Sequence, residues 1–177
     1  DDLTEARRVL NLEASALCPS AQNLDGSFEG SLDLLMETKG RVILSGIGKS
    51  GHIANKIAST FSSTGTPAFF VHPSEASHGD LGMITNDDVL IILSLSGETA
   101  ELSDMINYAK RFDIPLIAVT RKMESALARA ARHTLLLPSS PEACPMGLAP
   151  TTSTTLMLAL GDALAVALLK RKGFSEK

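Results

Sequence analysis

The 177-residue sequence predicts an α/β fold: a doubly wound, three-layer α/β/α sandwich around a five-stranded parallel sheet. Three observations predict it. Short apolar runs rich in β-branched residues, of the kind that form strands buried on both faces, recur at 42–44, 68–71, 89–93, 116–119 and 134–137. Segments with helical apolar spacing separate them, and strand alternating with helix implies parallel pairing with helices on both faces. The first strand runs into a glycine turn, Gly46-Ile47-Gly48-Lys49-Ser50-Gly51, whose amides approach an anion closely as a helix begins.

Two helices precede that strand. Leu3, Ala6, Val9, Leu10, Ala14 and Leu17 predict a helix over 3–17, capped by Thr4 or Asp2 and broken between Pro19 and Gly26. Phe28, Leu32, Leu35 and Met36 mark a second helix, which Gly40 terminates. The organisation is one domain, with N-terminal helices at 3–38 and a core at 41–177. Ile53, Ile57 and Phe61 continue the helix after the glycine turn, expected over 51–63. Later helices are expected over 99–111 and 124–131, and a last one over 151–170, opening on Thr-Thr-Ser-Thr-Thr after Pro150.

Composition excludes several functions. A net charge of −4 and the absence of a basic tract argue against nucleic acid as a partner. The acidic start, Asp1-Asp2-Leu3-Thr4-Glu5, is unlike a secretory signal. The most apolar run, 156–169, is interrupted by Gly161-Asp162 and is shorter than the roughly 20 residues of a membrane span, so a core or interface helix is expected and no membrane. Leu156, Leu158, Leu160, Ala163, Val166 and Leu169 cover more than one face of it, consistent with a partly intersubunit helix or a fully buried one. Cys18 and Cys144 have no metal-type spacing and read as free thiols in a reducing cytoplasm.

Ligands of such sheets bind beyond the carboxyl ends of the strands, which places the chemistry in four loops. In the glycine turn, the P-loop pattern fails because its first glycine would fall on Ile43. Gly46-x-Gly48-x-x-Gly51 matches the dinucleotide fingerprint, but the next strand ends in His72-Pro73 rather than a carboxylate, so a smaller phosphate ester fits better. The second loop holds His72 and His78; the fourth holds Glu142 and Cys144. The third, Ser94-Leu95-Ser96-Gly97-Glu98-Thr99, gathers hydroxyls and backbone donors about one point, which suits a phosphate monoester better than simple helix capping.

Gly48-Lys49-Ser50 and Ser94-x-Ser96-Gly97-Glu98-Thr99 resemble the SIS (sugar isomerase) domain, which binds phosphosugars. Gly46-Ile-Gly48-Lys49-Ser50-Gly51-His52, Phe70-Val71-His72-Pro73, His78-Gly-Asp-Leu-Gly-Met83, Glu142-Ala-Cys144-Pro145 and Gly147-Leu-Ala-Pro150-Thr-Thr-Ser-Thr-Thr155 are similar, within that family, to the bacterial D-arabinose 5-phosphate isomerases, from about Arg41 to Phe174. The resemblance implies a cytoplasmic, cofactor-free homotetramer with a flavodoxin-like five-stranded sheet, acting at the first step toward the eight-carbon acid Kdo of lipopolysaccharide and some capsules. By motif position it implies catalytic or essential roles for Lys49, Glu101 and Glu142, with His78 a further candidate, supplied in one arrangement by a neighbouring subunit. Ser50, Ser94, Ser96 and Thr99 align with its phosphate contacts, and Gly48 in the turn beside them is expected to bind the phosphate as well. Full-length relatives carry two CBS regulatory modules after this domain, and none is expected in this chain. The family motif also continues past Gly173-Phe174 to a His-Pro-Gly-Gly segment that these residues do not contain.

Aldose–ketose isomerisation moves one proton between C1 and C2 through a cis-enediol and another between the oxygens, which needs a base and an oxyanion stabiliser but no metal or redox cofactor. Glu142 is expected to be the carbon base. Lys49 either holds the phosphate or polarises the carbonyl, and Glu101 either orients Lys49 or moves the hydroxyl proton. His52 and His133 read as structural, His72 as fixing its loop. His72 and His78 together form a possible adventitious, inhibitory transition-metal site. The rival readings are a phosphosugar sensor that does not react and an isomerase of a hexulose or heptulose phosphate.

Overall fold

The structure is a computed structural model that describes residues 1–173, so Phe174, the last position of the resemblance, lies outside the described residues. Strands β1 (Val42–Gly46), β2 (Ala68–Phe70), β3 (Val89–Leu93), β4 (Leu116–Thr120) and β5 (His133–Leu136) form one parallel sheet in the order β2-β1-β3-β4-β5. Val42 pairs with Ala68 on one side and with Val89 on the other. The three central strands, β1, β3 and β4, are buried along their whole length because both faces are covered. Val42, Leu44, Val89, Ile91, Leu93, Ile117 and Val119 pack on one face under helices α1 (Asp2–Gln22), α2 (Gly26–Glu37), α3 (Gly48–Ser63) and α7 (Thr152–Arg171). Ile43, Leu90, Ile92, Leu116 and Ala118 point to the other, under α4 (Pro73–Ser77), α5 (Ser103–Arg111) and α6 (Ala126–Ala130). The expected three-layer sandwich is thus present.

Several boundaries differ from expectation. Helix α1 runs through Pro19 to Gln22, since proline's fixed φ is compatible with a helix and the Asn23 amide again bonds back, to Pro19 O at 3.0 Å. Its cap is neither Thr4 nor Asp2: Asp1 Oδ1 accepts from the Thr4 amide at 2.8 Å. Gly40 does not end α2, which stops at Glu37 with Thr38 extended. Glycine is needed there because a Cβ would lie 2.4 Å from Asp88 Oδ1 and 2.6 Å from Asp87 O. That approach delivers Asp88 beneath β1, where its carboxylate accepts from the Arg41 amide at 2.7 Å and pairs with the Arg41 guanidinium at 3.2 Å.

Helix α7 is a single 20-residue helix, long and apolar enough by length and composition to cross a membrane, so Gly161-Asp162 does not divide it. More than half of its apolar stretch is buried in the fold. Gly161 packs tightly against α3, where an added Cβ would meet Ile57 Cδ1 at 2.3 Å. Asp162 beside it accepts from Lys56 Nζ at 2.6 Å. Leu156, Leu160 and Leu168 are buried, whereas Val166 is 57% exposed.

The chain leaves β1 toward β2 in one direction, and β3 continues toward β4 and β5 in the other. The carboxyl ends of β1 and β3 therefore flank the switch point at which doubly wound sheets bind ligands.

Candidate phosphosugar site

A cavity of about 310 Å³ opens at that switch point, lined by Ile47 and Ser50 beyond β1, by Leu93 to Ser96 and Thr99 beyond β3, and by Arg121 and Lys122 beyond β4. On the β1 side, Gly48 takes φ +58° and turns the chain at once into α3, one turn earlier than expected. Gly51 closes that turn, since a Cβ on it would stand 2.6 Å from Gly46 O. Ile47 offers no side-chain cap, which leaves the first amides of α3 and its positive dipole end beside Ser50 for an anion.

On the β3 side the loop is pre-shaped by its own bonds. Ser94 Oγ lies 2.8 Å from Thr99 Oγ1 and accepts from the Gly97 amide at 3.1 Å, while Ser96 Oγ accepts from the Glu98 amide at 3.2 Å. Gly97, at φ +66°, passes so close to Ser125 that any Cβ would meet its hydroxyl at 2.1 Å. Glu98 Oε1 accepts from the Ala126 amide at 2.8 Å and so ties the loop to α6. Fixed donors of this kind bind an anion without first having to be ordered.

Ser50, Ser94, Ser96 and Thr99 thus line one cavity. Arg121 and Lys122 join them and were not among the expected residues. Among the described residues neither has an ion-pair partner. Their signal was present, because Thr120-Arg121-Lys122 directly follows an apolar strand on the carboxyl edge, the edge to which the strand-end rule points.

Lys49, Glu101, His78 and Glu142 do not line this cavity. Lys49 is exposed in the first turn of α3. Glu101 is exposed in a 3-10 turn, Ala100–Leu102, that precedes α5, so it does not stand within an α-helix. His78 is the exposed C-cap of α4, and His72 is its N-cap, with Nδ1 accepting from the Ser74 amide at 3.2 Å. The two histidines lie at opposite ends of α4, and among the described residues no three His, Cys, Asp or Glu side chains gather to hold a metal. His133 opens β5 with its ring against Gly30.

Glu142 is half-buried and stands at the start of α7: its Oε2 accepts from the Thr151 amide at 2.7 Å, the Thr151 hydroxyl at 3.1 Å and the Ser153 amide at 3.2 Å. Burial pushes this carboxyl up, but the Ser153 and Thr151 donors outweigh burial and hold it below the ordinary glutamate range. It is a carboxylate at neutral pH, half-buried and fixed in direction by those donors. Two residues on, amides of Ala149, Leu148, Met146 and Gly147 turn toward Cys144 and lower its thiol below the ordinary value.

The SIS domain family model matches residues 34–167. The chain is 52% identical over 178 residues to arabinose 5-phosphate isomerase KdsD of Francisella tularensis, covering 99% of this chain and 54% of that protein. It is 51% identical over 169 residues to KdsD of Escherichia coli K12, covering 96% of this chain and 52% of that protein. The chain therefore spans about half the length of the curated relatives it matches. A solved structure from E. coli CFT073, in complex with arabinose 5-phosphate, superposes with a TM-score of 0.94 at 41% identity, over 98% of this chain and 93% of that one.

Proposed function

We propose that this chain, which belongs to the SIS domain family, is an aldose–ketose isomerase that interconverts D-ribulose 5-phosphate and D-arabinose 5-phosphate through a cis-enediol. The observation that carries the reading is the switch-point cavity, where four hydroxyls, the uncapped start of α3 and two cations converge on a volume suited to a phosphate ester. Identity of about half to two KdsD isomerases across nearly the whole chain supports the choice of sugar.

In this reading Ser50, Ser94, Ser96, Thr99 and the Gly48 turn hold the phosphate, with Arg121 and Lys122 balancing its charge. That leaves Lys49, outside the cavity lining, to stabilise the enediolate oxygen, with Glu101 and His78 as the groups that orient it or move the hydroxyl proton. Glu142 takes the carbon-bound proton. A carboxylate kept ionised is available to accept a proton at neutral pH, and the step needs no redox cofactor. The same reading makes residues 1–177 one phosphosugar isomerase domain of a cytoplasmic homotetramer that supplies Kdo for lipopolysaccharide or capsule. Val166 on α7 and Leu3 and Leu10 on α1, exposed by 57%, 65% and 68%, offer apolar surface for such an assembly to cover.

Proton NMR of D-arabinose 5-phosphate with the chain in D2O tests it. The expected result is ribulose 5-phosphate together with deuterium at C2. Neither product, alongside a raised melting temperature with the sugar phosphate, would make these 177 residues a binding domain, and the same assay on a chain extended past Lys177 then decides between an incomplete isomerase and a sensor.

A further inference from the structure

Helix α1 packs loosely for a 21-residue helix: Ala16 is its one buried residue, and Leu3 and Leu10 face solvent. Its polar contacts with the rest of the fold are nevertheless specific. Arg8 Nη2 donates to the carbonyl of Ala143 at 2.5 Å, across 135 positions of sequence. Glu5 grips the same guanidinium with both oxygens, accepting from Nε at 2.9 Å and from Nη2 at 2.7 Å, which aims the fork at that carbonyl. One turn and a half further along, Glu13 Oε2 accepts from the Thr155 hydroxyl at 2.8 Å, which joins α1 to the first turn of α7.

Ala143 follows Glu142 directly and is 1% exposed. Its amide donates to Thr151 Oγ1 at 2.8 Å, and the Thr151 amide and hydroxyl both donate to Glu142. The peptide planes on either side of Ala143 are therefore held, one by Thr151 at the start of α7 and the other by Arg8 on α1. With both planes fixed, the backbone that carries the Glu142 side chain has little freedom left.

We propose that Arg8 is a positioning residue for Glu142: through the Ala143 carbonyl it sets the direction of the Glu142 carboxylate, and Glu5 sets the direction of Arg8. The proposal rests on the isomerase reading for its kinetic consequence. An exposed pair such as Arg8–Glu5, with side chains 43% and 53% accessible, contributes little to stability. Misplacing a reacting group by about 1 Å, in contrast, costs on the order of a hundredfold in rate. Arg8 should therefore affect turnover far more than folding.

The test compares Arg8→Ala, Arg8→Lys and Glu5→Gln with the parent 177-residue chain, using D-arabinose 5-phosphate. Expected is a fall in kcat of about tenfold or more in Arg8→Ala with KM within about twofold, the melting temperature within about 4 °C of the parent, substantial recovery in Arg8→Lys, and an intermediate value in Glu5→Gln. A kcat within twofold of the parent, or a loss that Arg8→Lys does not recover, overturns the proposal. If the parent itself does not isomerise the sugar, the isomerase reading falls, and 13C NMR titration of the Glu142 carboxyl decides about Arg8. A titration point raised toward the ordinary glutamate value in Arg8→Ala supports positioning, and an unchanged one overturns it.

Discussion

The Thr151 amide donates to Glu142 Oε2 at 2.7 Å and the Ser153 amide at 3.2 Å, so the carboxylate assigned to proton abstraction also satisfies the amides at the start of α7, whose N-cap residue is Thr151. One group thus carries a structural and a chemical task, and substitutions separate them. Glu142→Gln keeps an acceptor for the Thr151 and Ser153 amides but cannot take a proton. It should bind the sugar phosphate as the parent does and lose about 10²–10⁴ in kcat. Glu142→Ala should show the same loss and, in addition, about 1 kcal/mol less stability, because the amides at the start of α7 lose their acceptor. Unchanged turnover in the glutamine variant would remove Glu142 from the mechanism.

The acid limb of stability should follow two carboxylates. Burial raises Asp88, and Arg41 and Thr85 outweigh it, so Asp88, like Glu142, titrates in the folded protein below its ordinary value. Each contributes stability that is fully present above the unfolded-state value, about 3.9 for Asp and about 4.3 for Glu, and that is lost as pH falls through the lower folded value. Asp88→Asn should lower stability at pH 7 by about 3 kcal/mol and flatten the fall in melting temperature between about pH 5 and pH 3. A parallel fall in variant and parent would contradict this.

Arg121 and Lys122 carry a separate expectation. Each charge-assisted contact to a phosphate contributes roughly 1.5–3 kcal/mol. Arg121→Ala and Lys122→Ala should each raise KM for the sugar phosphate by about tenfold or more, with the melting temperature near that of the parent. Titration calorimetry with inorganic phosphate should show the same loss.

The contact between α3 and α7 is sensitive to one methyl group. Gly161→Ala gains about 1 kcal/mol of helix propensity but drives its Cβ toward Ile57, whose Cδ1, Cγ1 and Cγ2 would stand at 2.3, 2.5 and 2.9 Å. Overpacking of about 1–3 kcal/mol should exceed the gain and lower the melting temperature by several degrees. Adding Ile57→Val, which deletes Cδ1, should recover part of the loss.

Alkylation of Cys144 offers a check on the loop that carries Glu142. With its thiol lowered by the amides of residues 146–149, its rate of reaction with iodoacetamide should rise with pH at a midpoint below the ordinary thiol value of about 8.5. Mass mapping assigns the modified residue, and a midpoint at or above about 8.5 would mean that the loop does not present those amides in solution.

By itself the sequence determined the elements and the edge of the sheet at which to look. Val89–Leu93 and Leu116–Thr120 are local apolar patterns, and the hydroxyls of Ser94, Ser96 and Thr99 follow one of them within a few residues, so reading the chain in order suffices to find them. Tertiary structure alone decided what depends on distant segments meeting. It set the strand order that opens the β1/β3 crevice and brought Arg121 and Lys122 to the serines of another strand. It also made Gly40 a close approach to Asp88 rather than a helix stop, and made Glu142 the acceptor at the start of α7 under a guanidinium from α1. Periodicity and propensity act over a few residues, whereas these contacts are selected by the burial of two core layers, which no local pattern records.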